Sequence, residues 1–336
     1  TYNFKSNIKK FYNSIMLRAK LTIAGSNFIF SHINENYSEY LNKEKKLRVI
    51  YRGINVDYYN SKNISLLKKE KLKEEWNLSS NKFNILLPGR LTYWKGQEKF
   101  IESLNILIED YNVTDFQAII LGSDQGRKVY KKKLVNLVER YKLNKKIKFI
   151  PHCKEMPLAY SLSDVVVSAS IEPEAFGRIS VEAQSMGKPI IASNIGGSKE
   201  TVINKKTGFL YRHDDPRELA KCLNTVIQLS PDELKLMGNE GRKNITKKFD
   251  IETMCQTNLK EYKRLTKNRS RWPRRRARAA GPKRNQWAAG QPVRLSPAVA
   301  ARRALSLTRP PLCGRSRSGV FVARPTTTAP SCLGHV

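Results

Sequence analysis

The feature that most narrows the fold is a set of short, nearly unbroken apolar runs, most of them closed by a polar turn carrying glycine. Phe83-Asn84-Ile85-Leu86-Leu87 runs into Pro88-Gly89-Arg90, and Phe116-Gln117-Ala118-Ile119-Ile120-Leu121 into Gly122-Ser123. Val165-Val166-Val167 leads to a turn over 172–177, and the stretches 147–150 and 189–192 are two further runs. Between them lie segments with helical spacing. Phe100, Ile101, Leu104, Leu107 and Ile108 share one face, and 129–141, 157–162 and 179–186 read as further helices. A strand that is apolar at successive positions has no face for water, so it belongs in a parallel sheet covered by helices on both sides. Ligands of such sheets gather at the carboxyl ends of the strands, where the turns open into helix N-termini. The predicted class is therefore α/β, with function expected in the turns after the strands.

The first 60 residues hold less. Helices over 5–19 and 27–37 and strands over 21–24 and 47–51 are too few to bury a complete doubly wound core. The expectation is the remnant of a first Rossmann-like domain whose beginning is missing ahead of Thr1, and the lack of an initiator Met agrees. Residues 61–82 read as an interdomain linker and 83–249 as a second, ligand-binding domain with late helices over 216–229 and 232–247. Residues 250–268 read as a closing helix.

Charge divides the chain again. Of 62 Lys and Arg, 15 lie in 269–336, which contains no Asp or Glu; the body before it holds 47 basic against 29 acidic residues, a net +18. Rich in Pro and without periodic apolar faces, 269–336 is predicted to be disordered and foreign to the fold. The competing reading is an Arg-rich nucleic-acid arm around 269–278 and Lys283-Arg284, but no aromatic platform or recognised module accompanies it, so nucleic acid is not the expected partner. The body charge favours peripheral contact with an acidic membrane, ordinary solubility of a Lys-rich protein being the plain alternative. The five cysteines show no C-x-x-C spacing, which speaks against a zinc site or a disulfide framework and fits a reducing cytoplasm. No apolar run approaches 18 residues and no signal peptide is visible. The expected location is the cytoplasm, at most peripheral at the inner face of its membrane.

Two turns carry chemistry. In the run from Glu174 to Glu182, two carboxylates eight positions apart straddle a strand-to-helix turn with Gly177 at its apex. The glycine permits close backbone approach and the helix start offers free N–H groups to a phosphate. A carboxylate beside a diphosphate is tolerable when it accepts hydrogen bonds from hydroxyls, which points to a polyhydroxylated ligand. The bland alternatives are a helix-start acid for Glu174 and a solvated helix residue for Glu182. In the second turn, 89–96, Arg90 and Lys95 follow a strand end and can clamp a diphosphate, Arg as a planar fork and Lys as a mobile charge. Two surface bases in a Lys-rich protein are the alternative. Asp214-Asp215 before Pro216 reads as a helix cap, and no D-x-D motif is present.

In these motifs the chain resembles the family-4 retaining glycosyltransferases of the GT-B fold, two facing Rossmann-like domains, here with the first largely missing. Gly89 to Gly96 matches their G-R-x-x-x-x-K-G turn and Glu174 to Glu182 their E-x7-E motif. The runs Leu121-Gly122-Ser123, Ser168-Ala169-Ser170, Pro189-Ile190-Ile191-Ala192-Ser193 and Thr207-Gly208-Phe209-Leu210 match in order and spacing. The resemblance implies that Arg90 and Lys95 bind the donor diphosphate, Glu182 the ribose and Glu174 the transferred sugar. Backbone N–H groups of Phe176, Gly177, Arg178 and Ile179 would receive phosphate or sugar oxygens, and Gly122 would let the base or ribose pack against the strand end. It further implies a nucleotide-diphosphate-sugar donor, a glycan or glycolipid acceptor, retention by front-face displacement, and neither metal nor cofactor. The run 172–178 looks most like enzymes that build lipopolysaccharide core. A truncated, non-catalytic remnant that binds nucleotide is the second reading.

Overall fold

The computed structural model describes residues 7–41 and 46–267. The predicted basic tail 269–336 lies outside the described residues, as do Lys5 and Ser6 of the first predicted helix. The N-terminal piece holds α1 (Asn7–Ser14), β1 (Leu21–Ala24), α2 (Asn27–Tyr37) and β2 (Lys46–Val49). The predicted helix over 5–19 is shorter than expected: after Ser14 the backbone tightens into a 3-10 turn, Ile15–Arg18. β1 and β2 pair in parallel, Ala24 beside Val49.

The larger part is a six-stranded parallel sheet. Its strands are β3 (Phe83–Pro88), β4 (Phe116–Leu121), β5 (Ile147–Ile150), β6 (Val165–Ser168), β7 (Ile190–Ser193) and β8 (Gly208–Tyr211), in the spatial order β5-β4-β3-β6-β7-β8. Period-two alternation sends neighbouring residues to opposite faces. Ile85, Leu87, Ala118, Ile120, Val165 and Val167 pack on one face with Phe100, Leu104 and Leu223. Leu86, Ile119, Val166 and Ile190 pack on the other with Val181, Tyr160 and Ile245. Both faces are dry, which is why these runs lack polar alternation.

The helices are α3 (Leu66–Glu75), α4 (Gln97–Glu109), α5 (Lys128–Arg140), α6 (Met156–Ser161), α7 (Arg178–Ser185), the single turn α8 (Ser198–Thr201), α9 (Pro216–Ile227), α10 (Pro231–Lys248) and α11 (Ile251–Lys267). Asp215 caps α9 as expected, accepting from the N–H groups of Arg217 and Glu218. The segment 61–82 is more than a linker. It carries α3, whose Lys- and Glu-rich surface hid it, and its Trp76 and Leu78 are buried in the second core beside Ile54 and Tyr59. Its entry and the exit of the domain run side by side: the Ile54 N–H donates to the Phe249 carbonyl at 2.8 Å and the Ile251 N–H to the Ile54 carbonyl at 2.9 Å. Among the described residues no helix is long and apolar enough to cross a membrane.

Candidate functional site

The strand order reverses between β3 and β6, because the chain builds outward to β5 on one side and then returns to build toward β8 on the other. Loops leaving the two central strands separate there and leave a crevice at the carboxyl edge. The loop after β3 is 89–96 and the loop after β6 leads into 172–177. The topology therefore brings both predicted turns to one place.

Close contacts stitch these loops together. The Ile171 N–H donates to the Trp94 carbonyl at 2.9 Å. Gly96 adopts a left-handed conformation, φ 70°, and presses against the Ala169 carbonyl so tightly that a side chain has no room. Across the seam, Lys95 Nζ meets Glu174 Oε1 at 2.7 Å, with the two side chains 11% and 13% exposed. The Ser170 hydroxyl donates to the same carboxylate oxygen. Beneath the cations lies the Trp94 ring, 4.5 Å from Lys95 Nζ and 5.9 Å from the Arg90 guanidinium. Arg90 itself is exposed and, among the described residues, has no carboxylate at ion-pair distance.

Glu182 sits one turn inside α7 and is 6% exposed. Its Oε2 accepts from the Tyr160 hydroxyl at 2.8 Å and its Oε1 from Arg178 Nε at 2.5 Å. Tyr160 is fully buried, and burial together with the facing carboxylate pushes its pKa well up, so the hydroxyl remains a donor. The Arg178 pKa is raised, first by its hydrogen bond to Glu182. The bland alternative of a solvated Glu182 does not hold: the carboxylate is fixed from two sides, with lone pairs left over for further donors. Gly177 begins α7 in the left-handed region, φ 78°, and no side chain caps the helix. The first N–H groups of α7, at Arg178 and Ile179, are thus suited to an anion.

Packing constrains two of the predicted residues. Phe176 points inward, 7% exposed and 5.7 Å from the Phe249 ring, so only its backbone can serve the site. At Gly122 the place of a side chain is already taken by the Gly89 carbonyl. The glycine lets the neighbouring turn fold back against the strand end and present Arg90. The Leu91 N–H donates to the Ser123 carbonyl at 3.0 Å and fixes that arrangement.

Sequence reasoning missed the support. Ser170 and Trp94 lie inside motifs it had matched, but their roles need the loops placed together, and Tyr160 gives no periodic signal. The 174–177 turn is braced further by the Gly197 N–H on the Glu174 carbonyl at 2.8 Å and by the Ser26 hydroxyl on the Ala175 carbonyl at 2.5 Å. Glu200 completes the brace by accepting from the N–H groups of Asn27 and Phe28 at 2.9 and 2.7 Å, at the start of α2. Burial and a hydrogen bond to Glu200 push the Tyr51 pKa up to about 12. Among the described residues no group of three or more His, Cys, Asp or Glu is placed to hold a metal ion.

Known proteins share this architecture. A glycosyltransferase from Rickettsia africae ESF-5 is 36% identical, with a TM-score of 0.72 over 80% of this chain and 69% of that one. Anabaena HepE, solved in complex with UDP and glucose, is 27% identical, with a TM-score of 0.68 over 77% of this chain and 68% of its own. Among curated relatives, spore coat protein SA of Bacillus subtilis is 26% identical over 68% of this chain, and the capsular polysaccharide biosynthesis glycosyltransferase CapM of Staphylococcus aureus 29% over 58%. The chain spans 61% and 52% of the lengths of those two relatives. Residues 68–244, more than half of the chain, match the family of glycosyl transferases group 1. This chain belongs to that family.

Proposed function

We propose that this protein takes part in retaining transfer of a sugar from a nucleotide-diphosphate sugar to a hydroxyl of a bacterial envelope glycan or glycolipid. The observation that carries the reading is the Lys95–Glu174 pair, a cation and an acid brought from two loops to the reversal point of the sheet. Arg90 and Lys95 hold the diphosphate and stabilise the charge it gains on leaving. Glu174 accepts from hydroxyls of the transferred sugar and Glu182 from the ribose, while the N–H groups of 176–179 meet phosphate or sugar oxygens. In the transfer, the acceptor oxygen bonds to the anomeric carbon on the face that the diphosphate leaves. The carbon–oxygen bond to the diphosphate breaks with its electron pair, and the acceptor proton passes to a phosphate oxygen. No protein nucleophile, metal or cofactor enters this scheme.

Within that class, the likeness of 172–178 to lipopolysaccharide-core enzymes makes core sugar the acceptor we favour. Relatives named for spore coat and capsular polysaccharide mark the acceptors to test beside it. The body charge suits work at the cytoplasmic face of an acidic membrane. Calorimetry with UDP, GDP and ADP, then donor hydrolysis, tests the scheme. Arg90→Ala should weaken nucleoside-diphosphate binding by about 1.5–3 kcal/mol. Glu182→Ala should weaken the nucleoside diphosphate and spare pyrophosphate. Equal losses for both ligands would remove the ribose role, and unchanged affinity in Arg90→Ala would remove the clamp.

A further inference from the structure

We infer that the cleft beside Glu174 is an acceptor subsite for an anionic sugar, one bearing a phosphate or a carboxylate; this rests on the glycosyl-transfer reading above. The cleft has a volume of about 610 Å³ and lies between the segment after β2, the 174–178 turn and the start of α11. It shares Glu174 with the donor site. Transfer needs the acceptor hydroxyl against the anomeric carbon, so an acceptor must lie where a cavity adjoins the group that holds the transferred sugar. The walls of this cavity then report the acceptor's chemistry.

Two arginines line it, Arg52 and Arg178. Arg52 is exposed, its stem lies over Gly25, and among the described residues no carboxylate sits at ion-pair distance from it. Arg178 gives its Nε to Glu182 and also meets the Tyr59 hydroxyl, the side chain still being 77% exposed. The carboxylate on the wall, Glu174, is already committed to Lys95 and Ser170. Two planar forks on one cleft fit a phosphate or carboxylate, each of which takes paired N–H donors. Apart from Asn55, whose side-chain oxygen accepts from the Asp57 and Tyr58 N–H groups, the rest of the lining is largely apolar or aromatic, with Tyr58, half exposed, Ile251 and Met254. Such a surface takes the weakly polar face of a sugar ring, as binding pockets combine apolar walls with a few orienting polar groups.

Calorimetry on UDP-saturated protein tests this, with glucose 6-phosphate, glucuronate and glucose as probes. The phosphate and carboxylate arms show which anion is preferred. At least one anionic sugar should bind tenfold or more tightly than glucose, and Arg52→Gln should weaken it at least tenfold while UDP affinity stays within twofold. Arg52→Lys should recover part of the loss. Glucose binding as well as both anionic sugars, or Arg52→Gln leaving their affinities unchanged, overturns the subsite. Failure of UDP itself to bind would strike the donor reading instead, and the same sugar titrations without nucleotide would still judge Arg52.

Discussion

Replacing Lys95 with Met isolates the contact on which the site is built. An exposed ion pair contributes ~0–1 kcal/mol, whereas removing one partner of a buried pair costs ~3–5 kcal/mol. The Lys95 and Glu174 side chains are 11% and 13% exposed at 2.7 Å, which places them near the buried limit. Glu174 would keep the Ser170 hydroxyl, and methionine would keep an apolar stem over Trp94. Both effects pull the cost back to about 2 kcal/mol, or a fall of about 4–8 °C in melting temperature for a domain of this size. Glu174→Gln should cost less, because the amide still accepts from Ser170. In urea unfolding of both single variants and the double, the pair should show a coupling of about 1–2 kcal/mol. In UDP titrations Lys95→Met should lose about 10–150-fold, the scale of a charged hydrogen bond. Glu174→Gln should spare UDP and weaken UDP-glucose. Additive stability losses within about 0.5 kcal/mol would show that the two charges do not support each other, and the argument from their convergence would fall.

Three other perturbations probe the surroundings. Gly122→Ala forces a methyl against the Gly89 carbonyl and should destabilise by about 1–3 kcal/mol while displacing Arg90; unfolding and UDP affinity as for wild type would refute the close-packed turn. Tyr160→Phe removes a donor to Glu182 and should cost about 1.5–3 kcal/mol in stability. It should also lower nucleoside-diphosphate affinity without touching pyrophosphate, and equal effects on both ligands would contradict the positioning role. The Lys188 ammonium reaches the Ser163 carbonyl at 2.5 Å, and burial lowers its pKa to about 8 from 10.5. Between those values the folded chain has lost the proton and the unfolded chain still holds it, so stability rises with pH by up to about 1.4 kcal/mol per unit. Lys188→Met should flatten that part of the urea-midpoint profile between pH 8 and 10.5, and an unchanged slope would assign it to other groups.

How much of this could be read from residues alone depended on whether a signal was local. The strands were legible because a strand dry on both faces leaves a continuous apolar run, as at 116–121. Asp215 was legible because a cap acts within three residues of itself. Glu174 and Lys95 were identifiable as polar groups at strand ends, but 79 positions separate them, and their contact follows from the adjacency of β3 and β6. Tyr160 was invisible: its hydroxyl matters because α6 and α7 meet on one face of the sheet, and an isolated Tyr among apolar residues reads as core. The helix within 61–82 was illegible for a related reason. The helix there shows water Lys and Glu on most of its surface, and the anchoring to the second core comes from Trp76 and Leu78 after its end.

The two acids of the site are held by unlike means, and this divides their tasks. Glu174 is tied to Lys95, which in the proposed scheme holds the diphosphate, so there its carboxylate and the phosphates compete for one ammonium. A ligand that draws Lys95 toward its phosphates must give Glu174 something in return, and sugar hydroxyls are the donors that can do so. Glu182 is instead tied to Arg178 and to a buried tyrosine that has no phosphate to serve. In the proposed scheme it adds ribose hydroxyls without surrendering Tyr160. Binding should therefore be cooperative at Glu174, where the nucleotide and sugar parts share a charge, and close to additive at Glu182. A nucleoside diphosphate without its sugar would leave Glu174 half-satisfied. The affinity gained by adding the sugar should accordingly shrink in Glu174→Gln and survive in Glu182→Gln.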